Sequence, residues 1–236
     1  MIIRKRTYPA KQGQAGLMNN STLFAREGYP FIACSVGLTL LLAFSAWKLC
    51  SIILAIPAVV VLLLTIFVLY FFRNPERTPP ADKQAVLAPA DGKVIVVERV
   101  PETPLGCEAL KISIFMSVFN VHVNRVPYGG TVVDTFYHKG KFFDARDGRA
   151  SCENERNGIV LELDGGLRIA FVQIAGLIAR RIVSYPKTGD RLIRGDRYGL
   201  IRFGSRVDVY LPTDVTPLVK LGDTTVAGET ILGSIR

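Results

Sequence analysis

The sequence predicts a mainly β (α+β) protein, in which a β-rich, barrel-sandwich-like domain follows an N-terminal hydrophobic helical hairpin. Hydrophobic residues make up 49% of the chain, a share that suggests a membrane segment. They are concentrated in residues 31–72, where Lys48 is the single charged residue. From Ala85 onward, short runs with period-two alternation are separated by Gly, Asp and Pro, which is typical of strands joined by turns.

The N-terminal 72 residues predict membrane attachment. Residues 1–30 are polar and basic, and we expect residues 31–72 to form membrane-associated hydrophobic helices. A span needs about 20 apolar residues, so the part after Lys48 qualifies and the part before it is marginal. The alternatives are a helical hairpin that turns near Trp47-Lys48, two helices that lie shallowly in one leaflet, and a pair buried in a soluble core. Basic residues flank both outer ends, which places both ends in the cytoplasm at the cell (inner) membrane.

The remainder of the chain divides into a linker and a domain. The segment "RNPERTPPADKQ", residues 73–84, is rich in Pro and charge and is typical of a linker. Residues 85–236 form the predicted β-rich domain. Its segment "VKLGDTTVAGETILGSI" predicts a hairpin like those of the barrel-sandwich folds that carry biotin or lipoate. Because no lysine occupies the turn at Asp223-Thr224-Thr225, a swinging-arm carrier is disfavoured.

The composition disfavours several classes of function. The four cysteines show no CxxC spacing, which disfavours a zinc site or a disulfide framework, and we expect no metal. No glycine fingerprint for nucleotides occurs. The net charge is +9, but the basic residues crowd the ends of the apolar stretch and are scattered elsewhere. This distribution favours an anionic membrane surface over nucleic acid.

Only two histidines are available as an acid or base. In "FNVHVNRVP", the side chains of Asn120, His122 and Asn124 share one face of an extended segment. Residues 112–118 keep the opposite phase, and this phase shift predicts a bulge, bend or loop that re-aims His122. A polar, solvated strand face is the plain alternative. His138 lies between polar and basic neighbours and is typical of an exposed loop.

Asp91 is a candidate partner for the histidine. It lies in "LAPADGKVIVV", and a Pro-x-Asp-Gly turn before a strand is common without any catalytic role. The functional alternative is a carboxylate that orients an imidazole. The chain order Asp91, His122, Ser205 is acceptable for a triad, because triads are defined by roles and not by order.

The segment "GLIRFGSRVDVYLP" predicts one β-strand with an unusual centre at Gly204-Ser205. Glycine weakens a strand interior, and Ser205 is in phase with the apolar face, where a hydroxyl needs a partner. A β-bulge is one explanation. The other is that the pair reacts: Gly204 permits distorted backbone geometry, and Ser205 attacks its carbonyl if a base such as His122 accepts the proton.

Six stretches occur in order over residues 72–236, and together they carry a family resemblance: "FRNPERTPP", "LAPADGKV", "ISIFMSVFNVHVNRVP", "NERN", "GDRYGLIRFGSRVDVYLP" and "VKLGDTTVAGETILG". The most specific element is Phe203-Gly204-Ser205. On these residues the chain resembles the phosphatidylserine decarboxylase proenzymes of the short bacterial and archaeal type.

The resemblance implies a self-processing, pyruvoyl-dependent carboxy-lyase. Ser205 would attack Gly204, and cleavage between residues 204 and 205 would leave a β chain and an α chain. Ser205 would become the covalent pyruvoyl cofactor, which forms a Schiff base with phosphatidylserine and yields phosphatidylethanolamine and CO2. Asp91 and His122 would carry the family's Asp-His roles. Longer relatives have two histidines in this segment, where this chain has His122 and then Arg125. Two alternatives are therefore open: His122 serves both self-cleavage and decarboxylation, or Arg125 takes part electrostatically.

Two other classes of function remain open at this stage. One is a membrane-anchored serine hydrolase that uses Ser205, His122 and Asp91, although the chain has no GxSxG elbow. The other is a non-catalytic β module tethered to the membrane. The expected partners are phosphatidylserine and membrane lipids, without nucleic acid. The α and β chains of one precursor are expected to stay associated, and a homo-oligomer is possible.

Overall fold

The computed structural model describes residues 22–177, 181–202 and 204–235. Most of the predicted basic N-terminal segment and Phe203 therefore lie outside the described residues. The chain divides into two compact units, with the boundary between Glu76 and Arg77, inside the segment that the sequence predicts as a linker.

The first unit is a pair of apolar helices, as predicted. A short 3-10 turn precedes α1 (Tyr29–Lys48), and α2 spans Ile52–Phe71. Cys50 adopts a positive φ of 46° in the connection, so the chain reverses just after Lys48. The hydroxyls of Thr39 and Thr65 are 2.9 Å apart and join the two helices. Both helices are long and apolar enough to cross a membrane, and α1 has no buried residue.

The two outer ends of the helical pair are joined by backbone hydrogen bonds. The Ala25 amide donates to the Phe72 carbonyl at 2.8 Å, and the Asn74 amide donates to the Leu23 carbonyl at 2.9 Å. Gly28 is needed at this junction, because a Cβ there would collide with the Phe72 ring. The chain therefore enters and leaves the helical pair at the same end.

The second unit is mainly β, which confirms the predicted fold class. Its strands, in the described part of the chain, are β1 (Ala85–Leu87), β2 (Gly92–Val100), β3 (Ala109–Met116), β4 (Val123–Arg125), β5 (Gly130–His138), β6 (Arg156–Glu162), β7 (Arg168–Ile174), β8 (Arg181–Ser184), β9 (Arg191–Leu192), β10 (Arg197–Arg202), β11 (Ser205–Leu211), β12 (Thr224–Thr225) and β13 (Ile231–Ser234). A single turn of helix, α3, spans Ala150–Glu153.

Eight of these strands form one curled sheet in the order β12-β2-β3-β11-β7-β6-β5-β9. Smaller sheets have the orders β4-β10-β8 and β1-β13, and neighbouring strands run antiparallel.

Strand β11 is central in the large sheet. It pairs with β3 on one side, where Ser205 faces Met116, and with β7 on the other. All seven residues of β11 are buried. Val207, Val209 and Leu211 alternate into the main core, so the period-two pattern of the sequence is realised here.

The predicted single strand over residues 199–212 is wrong. The chain forms β10 and β11, which belong to different sheets, and the break falls at Gly204. Gly204 has φ of +63°, a left-handed conformation that interrupts an extended strand and that glycine adopts at low cost. The Gly204–Ser205 bond therefore lies where the chain passes from one sheet to another.

The predicted C-terminal hairpin is also wrong in its pairing. Strand β12 pairs with β2, and β13 pairs with β1, so the two strands do not pair with each other. The turn between them packs on the Ala88–Asp91 turn, because the Gly228 amide donates to the Ala88 carbonyl at 2.8 Å and the Thr225 hydroxyl to the Ala90 carbonyl at 2.9 Å. These bonds hold the Asp91 turn in place.

Candidate active site

Ser205 begins β11 in a fully buried position. Its Oγ donates to the Met116 sulfur at 3.6 Å, a weak hydrogen bond across the β3–β11 pair. The Asn124 side chain donates to the same sulfur, also at 3.6 Å. Met116 therefore brings the hydroxyl of Ser205 and the segment that carries His122 to one place.

The carbonyl oxygen of Gly204 packs against the backbone at Gly176, two residues after β7 ends. A Cβ at Gly176 would collide with this oxygen and would lie 3.3 Å from the Ala145 Cβ. Only glycine at position 176 leaves room for the Gly204 carbonyl as it stands. Gly176 was not predicted as a site residue, because nothing in the sequence links residues 176 and 204.

A pocket of about 330 Å³ opens beside the Gly204–Ser205 bond. Its described lining comes from the end of β3 and the turn after it, from the loop before α3, and from the segment after β7. The lining residues are Phe115, Ser117, Val118, Asp144, Ala145, Arg146, Leu177 and Gly204.

His122 follows a tight turn after β3, which confirms the interruption predicted from the phase shift. The Asn120 side chain closes this turn by accepting hydrogen bonds from the Ser117 amide at 2.9 Å and hydroxyl at 2.7 Å. His122 is 2% exposed, so the predicted face is not a solvated one. Its Nδ1 is 2.9 Å from the Asn120 carbonyl oxygen. Because a carbonyl only accepts, this contact places a proton on Nδ1 and leaves Nε2 as the basic nitrogen of the neutral ring.

Asp91 is buried and bound on both carboxylate oxygens. Arg77 Nη2 donates to Oδ2 at 3.1 Å, and the Ala227 amide donates to Oδ1 at 2.7 Å. Arg77 also faces Glu229 at 3.7 Å. The Arg125 amide donates to the Pro89 carbonyl at 2.9 Å, so the Asp91 turn and the segment with His122 are neighbours.

The contacts of Arg77 and of the turn after β12 were not predicted from the sequence. Arg77 is one of the basic residues that follow the apolar stretch, and its guanidinium binds Asp91. Gly228 has φ of +78° and leaves room for Arg125, whose Cδ would lie 2.8 Å from an added Cβ. A Gly in a "VAGE" turn signals a special backbone geometry but gives no hint of its contact.

Arg206 and Asp208 form a second cluster that the sequence analysis missed. Arg206 Nε donates to Asp208 Oδ1 at 2.7 Å, and Nη2 donates to Oδ2 at 3.0 Å. Ser151 contacts both side chains, and Arg206 Nη1 also donates to the Ala145 carbonyl at 3.1 Å. The residue after Ser205 is thereby bound to the loop that lines the pocket. The sequence did contain a signal for this cluster, namely two opposite charges at positions i and i+2 of an otherwise apolar strand.

The described lining of the pocket beside the Gly204–Ser205 bond does not include His122, Asp91 or His138. His138 ends β5 with an exposed side chain and lines a different pocket, together with Lys111 and Tyr210. Burial raises the pKa of Tyr210 above its usual range. Among the described residues, no three His, Cys, Asp or Glu side chains cluster in a way that would bind a metal ion.

Comparison with known proteins defines the class. A sequence model described as phosphatidylserine decarboxylase matches residues 64–233. A protein of Pelobacter propionicus is 68% identical over 219 residues, which are 93% of this chain and all of that protein. Relatives from Trichlorobacter lovleyi and Geobacter sulfurreducens are 63% and 58% identical, over 90% and 92% of this chain and 97% and 99% of their own lengths. All three are named phosphatidylserine decarboxylase proenzyme. The chain belongs to the phosphatidylserine decarboxylase family.

Proposed function

We propose that this chain is a phosphatidylserine decarboxylase, a lyase of phospholipid biosynthesis that is made as a zymogen and activates itself at Ser205. The observation that carries this proposal is the Gly204–Ser205 bond. It has a left-handed glycine, a buried hydroxyl and an adjacent pocket, in a chain that matches proenzymes over nearly its whole length. The alternative of a serine hydrolase finds no support in the relatives.

We propose the following route for self-cleavage. Ser205 Oγ attacks the Gly204 carbonyl carbon as His122 accepts the hydroxyl proton, and the peptide bond becomes an ester with a free amine on residue 205. Loss of the Cα proton expels the Gly204 carboxylate and leaves dehydroalanine. Hydrolysis of its imine tautomer releases ammonia and leaves a pyruvoyl group on residue 205.

Each neighbour has a defined part in this step. Gly204 holds the carbonyl in the left-handed turn, and Gly176 leaves room for its oxygen. Met116 holds the Ser205 hydroxyl. We assign to Asp91 the acidic role of the family's Asp-His pair, with Arg77 and the Ala227 amide binding the two oxygens of its buried carboxylate.

The site fits a pyruvoyl group formed in place. Residue 205 is fully buried at a strand end, and residue 204 lines a pocket. A pyruvoyl group here would supply an electrophile for the substrate amine and an electron sink for the electron pair that stays on the substrate carbon when CO2 departs. The protein's part is to bind the head group in the pocket, to exclude water around residue 205 and to move protons through His122 Nε2.

The two chains stay together after cleavage. Residues 205–236 contain β11, β12 and β13, which pair with β3, β7, β2 and β1 of the preceding part. Strand β11 is hydrogen-bonded to β3 and β7, and it begins at Ser205. Cleavage before Ser205 therefore leaves both sets of strand-pairing hydrogen bonds intact.

We place the protein at the inner membrane, with its β unit in the cytoplasm. Two exposed apolar helices, basic flanks and joined outer ends support this location. A membrane anchor keeps the enzyme near its lipid substrate.

Conversion of phosphatidylserine in detergent micelles tests the function. Purified protein is expected to release CO2 and phosphatidylethanolamine, and Ser205→Ala to release neither. Fatty acid or lysolipid as the product would instead support a hydrolase.

A further inference from the structure

The pocket beside the Gly204–Ser205 bond has one basic side chain among its described lining residues. That residue is Arg146, in the loop before α3, and Asp144 is the one acidic residue there. The walls are mainly apolar and include Phe115, Val118 and Leu177. Leu177 is 62% exposed, so the apolar wall continues to the surface.

Asp144 and Phe115 set the orientation of the Arg146 guanidinium. Nε donates to Asp144 Oδ1 at 3.1 Å, and Nη2 donates to Oδ2 at 2.6 Å. The guanidinium carbon is 5.4 Å from the centre of the Phe115 ring. Within the described residues, Nη1 makes no hydrogen bond. One edge of the guanidinium is therefore fixed, and its other donors remain for an oxyanion.

The pair is charged at neutral pH. Hydrogen bonding to Arg146 lowers the pKa of the Asp144 carboxyl below its usual range. A bound anion would therefore meet a charged guanidinium that Asp144 already orients. An anionic group on an apolar stem fits this combination of fixed guanidinium and apolar wall.

We propose that Arg146 binds the phosphodiester of the phosphatidylserine head group, while the seryl amine faces residue 205. This inference rests on the proposed function, because it names the residue that recognises the substrate's phosphate. Arg146 is a substrate-binding residue in this account and takes no part in self-cleavage.

The same loop supplies a matched control. Arg149 is bound to Asp147 in the same way, with Nε to Oδ1 at 3.2 Å and Nη2 to Oδ2 at 2.7 Å. The side chains of Arg146 and Arg149 are 65% and 60% exposed. Arg149 lies over the Phe143 ring and does not line the pocket. The two arginines therefore differ chiefly in their access to the Gly204–Ser205 bond.

The experiment compares the wild type with Arg146→Gln, Arg146→Lys and Arg149→Gln as full-length, membrane-extracted proteins. Substrates are phosphatidylserine in micelles and glycerophosphoserine, which keeps the phosphodiester without acyl chains. Losing a charge-assisted hydrogen bond is expected to raise KM of Arg146→Gln about tenfold for both substrates, with little change in kcat. The KM of Arg146→Lys should lie between those of the wild type and Arg146→Gln, because lysine keeps the positive charge but lacks the paired donors of the guanidinium. Arg149→Gln should match the wild type, and inorganic phosphate should inhibit Arg146→Gln less than the wild type.

Three results would overturn the inference. The first is equal KM values for Arg146→Gln and Arg149→Gln. The second is a higher KM for the lipid but not for glycerophosphoserine, which would assign Arg146 to the lipid surface. The third is failure of Arg146→Gln to cleave itself, which would make the residue structural. A wild type that forms no phosphatidylethanolamine would refute the proposed function itself, and this is established before the variants are compared.

Discussion

Gly176 leaves the space that the carbonyl oxygen of Gly204 occupies. This contact joins the end of β7 to the chain crossing between β10 and β11. It fixes the carbonyl that Ser205 attacks, while the β11 ladder fixes Ser205 itself. Both reacting groups are thus held by backbone packing before any chemistry occurs.

A methyl group at position 176 is expected to slow self-cleavage about a hundredfold, because displacing a reacting group by about 1 Å costs that much. Gly176→Ala should accumulate as precursor during cell-free synthesis, followed on denaturing gels. Gly165→Ala is the control, because a Cβ there meets no atom within 4 Å. Cleavage of Gly176→Ala at the wild-type rate would contradict the packing argument.

The buried ion pair beside the cleavage site is expected to be sensitive to loss of one partner. Arg206 and Asp208 are 1% and 0% exposed, and leaving one such charge unpaired costs about 3–5 kcal/mol. Asp208→Asn in the uncleavable Ser205→Ala background should therefore lower the free energy of unfolding, measured by denaturant titration. The double change Arg206→Met with Asp208→Leu should recover most of the loss. Equal stability of the single variant and its parent would refute this.

Removing the base is expected to block activation. His122→Gln should slow precursor conversion by about a hundredfold or more, as for loss of a general base. Asp91→Asn should slow conversion too if the carboxylate takes part in self-cleavage. Arg77→Met keeps that carboxylate and tests the ion pair alone. If Asp91→Asn and Arg77→Met show the same small defect, Asp91 has only a structural role.

The native cysteines allow a test of membrane topology. Cys50 is exposed at the helical turn, and Cys107 is exposed in the β unit. In single-cysteine variants, an impermeant maleimide should label Cys50 from the periplasmic side and Cys107 from the cytoplasmic side. Labelling of both from the cytoplasmic side would instead favour helices lying in one leaflet.

The sequence predicted the parts of the fold that depend on local pattern. The apolar stretch over residues 31–72 predicted α1 and α2, and period-two alternation predicted β3 and β11. The prediction of one continuous strand over residues 199–212 is wrong, because the periodicity of side chains carries no information about a left-handed glycine. Gly204 keeps the alternation in phase while the chain changes sheet.

Contacts between distant segments could not be predicted from the sequence. Ser205, His122 and Asp91 stand out by residue type and by resemblance, whereas Gly176 and Arg77 act through contacts 28 and 14 positions away along the chain. The β12–β2 and β13–β1 pairings could not be predicted for the same reason, because the alternation of side chains along a strand does not specify its partner strand.

Intact mass spectrometry of the purified protein tests the central claim most directly. Two chains are expected, residues 1–204 and residues 205–236. The shorter chain should be lighter by one ammonia than its serine-terminated form and should react with a carbonyl reagent. Ser205→Ala should give one uncut chain. An uncut wild-type chain that decarboxylates phosphatidylserine, or a short chain that begins with unmodified serine, would contradict the account.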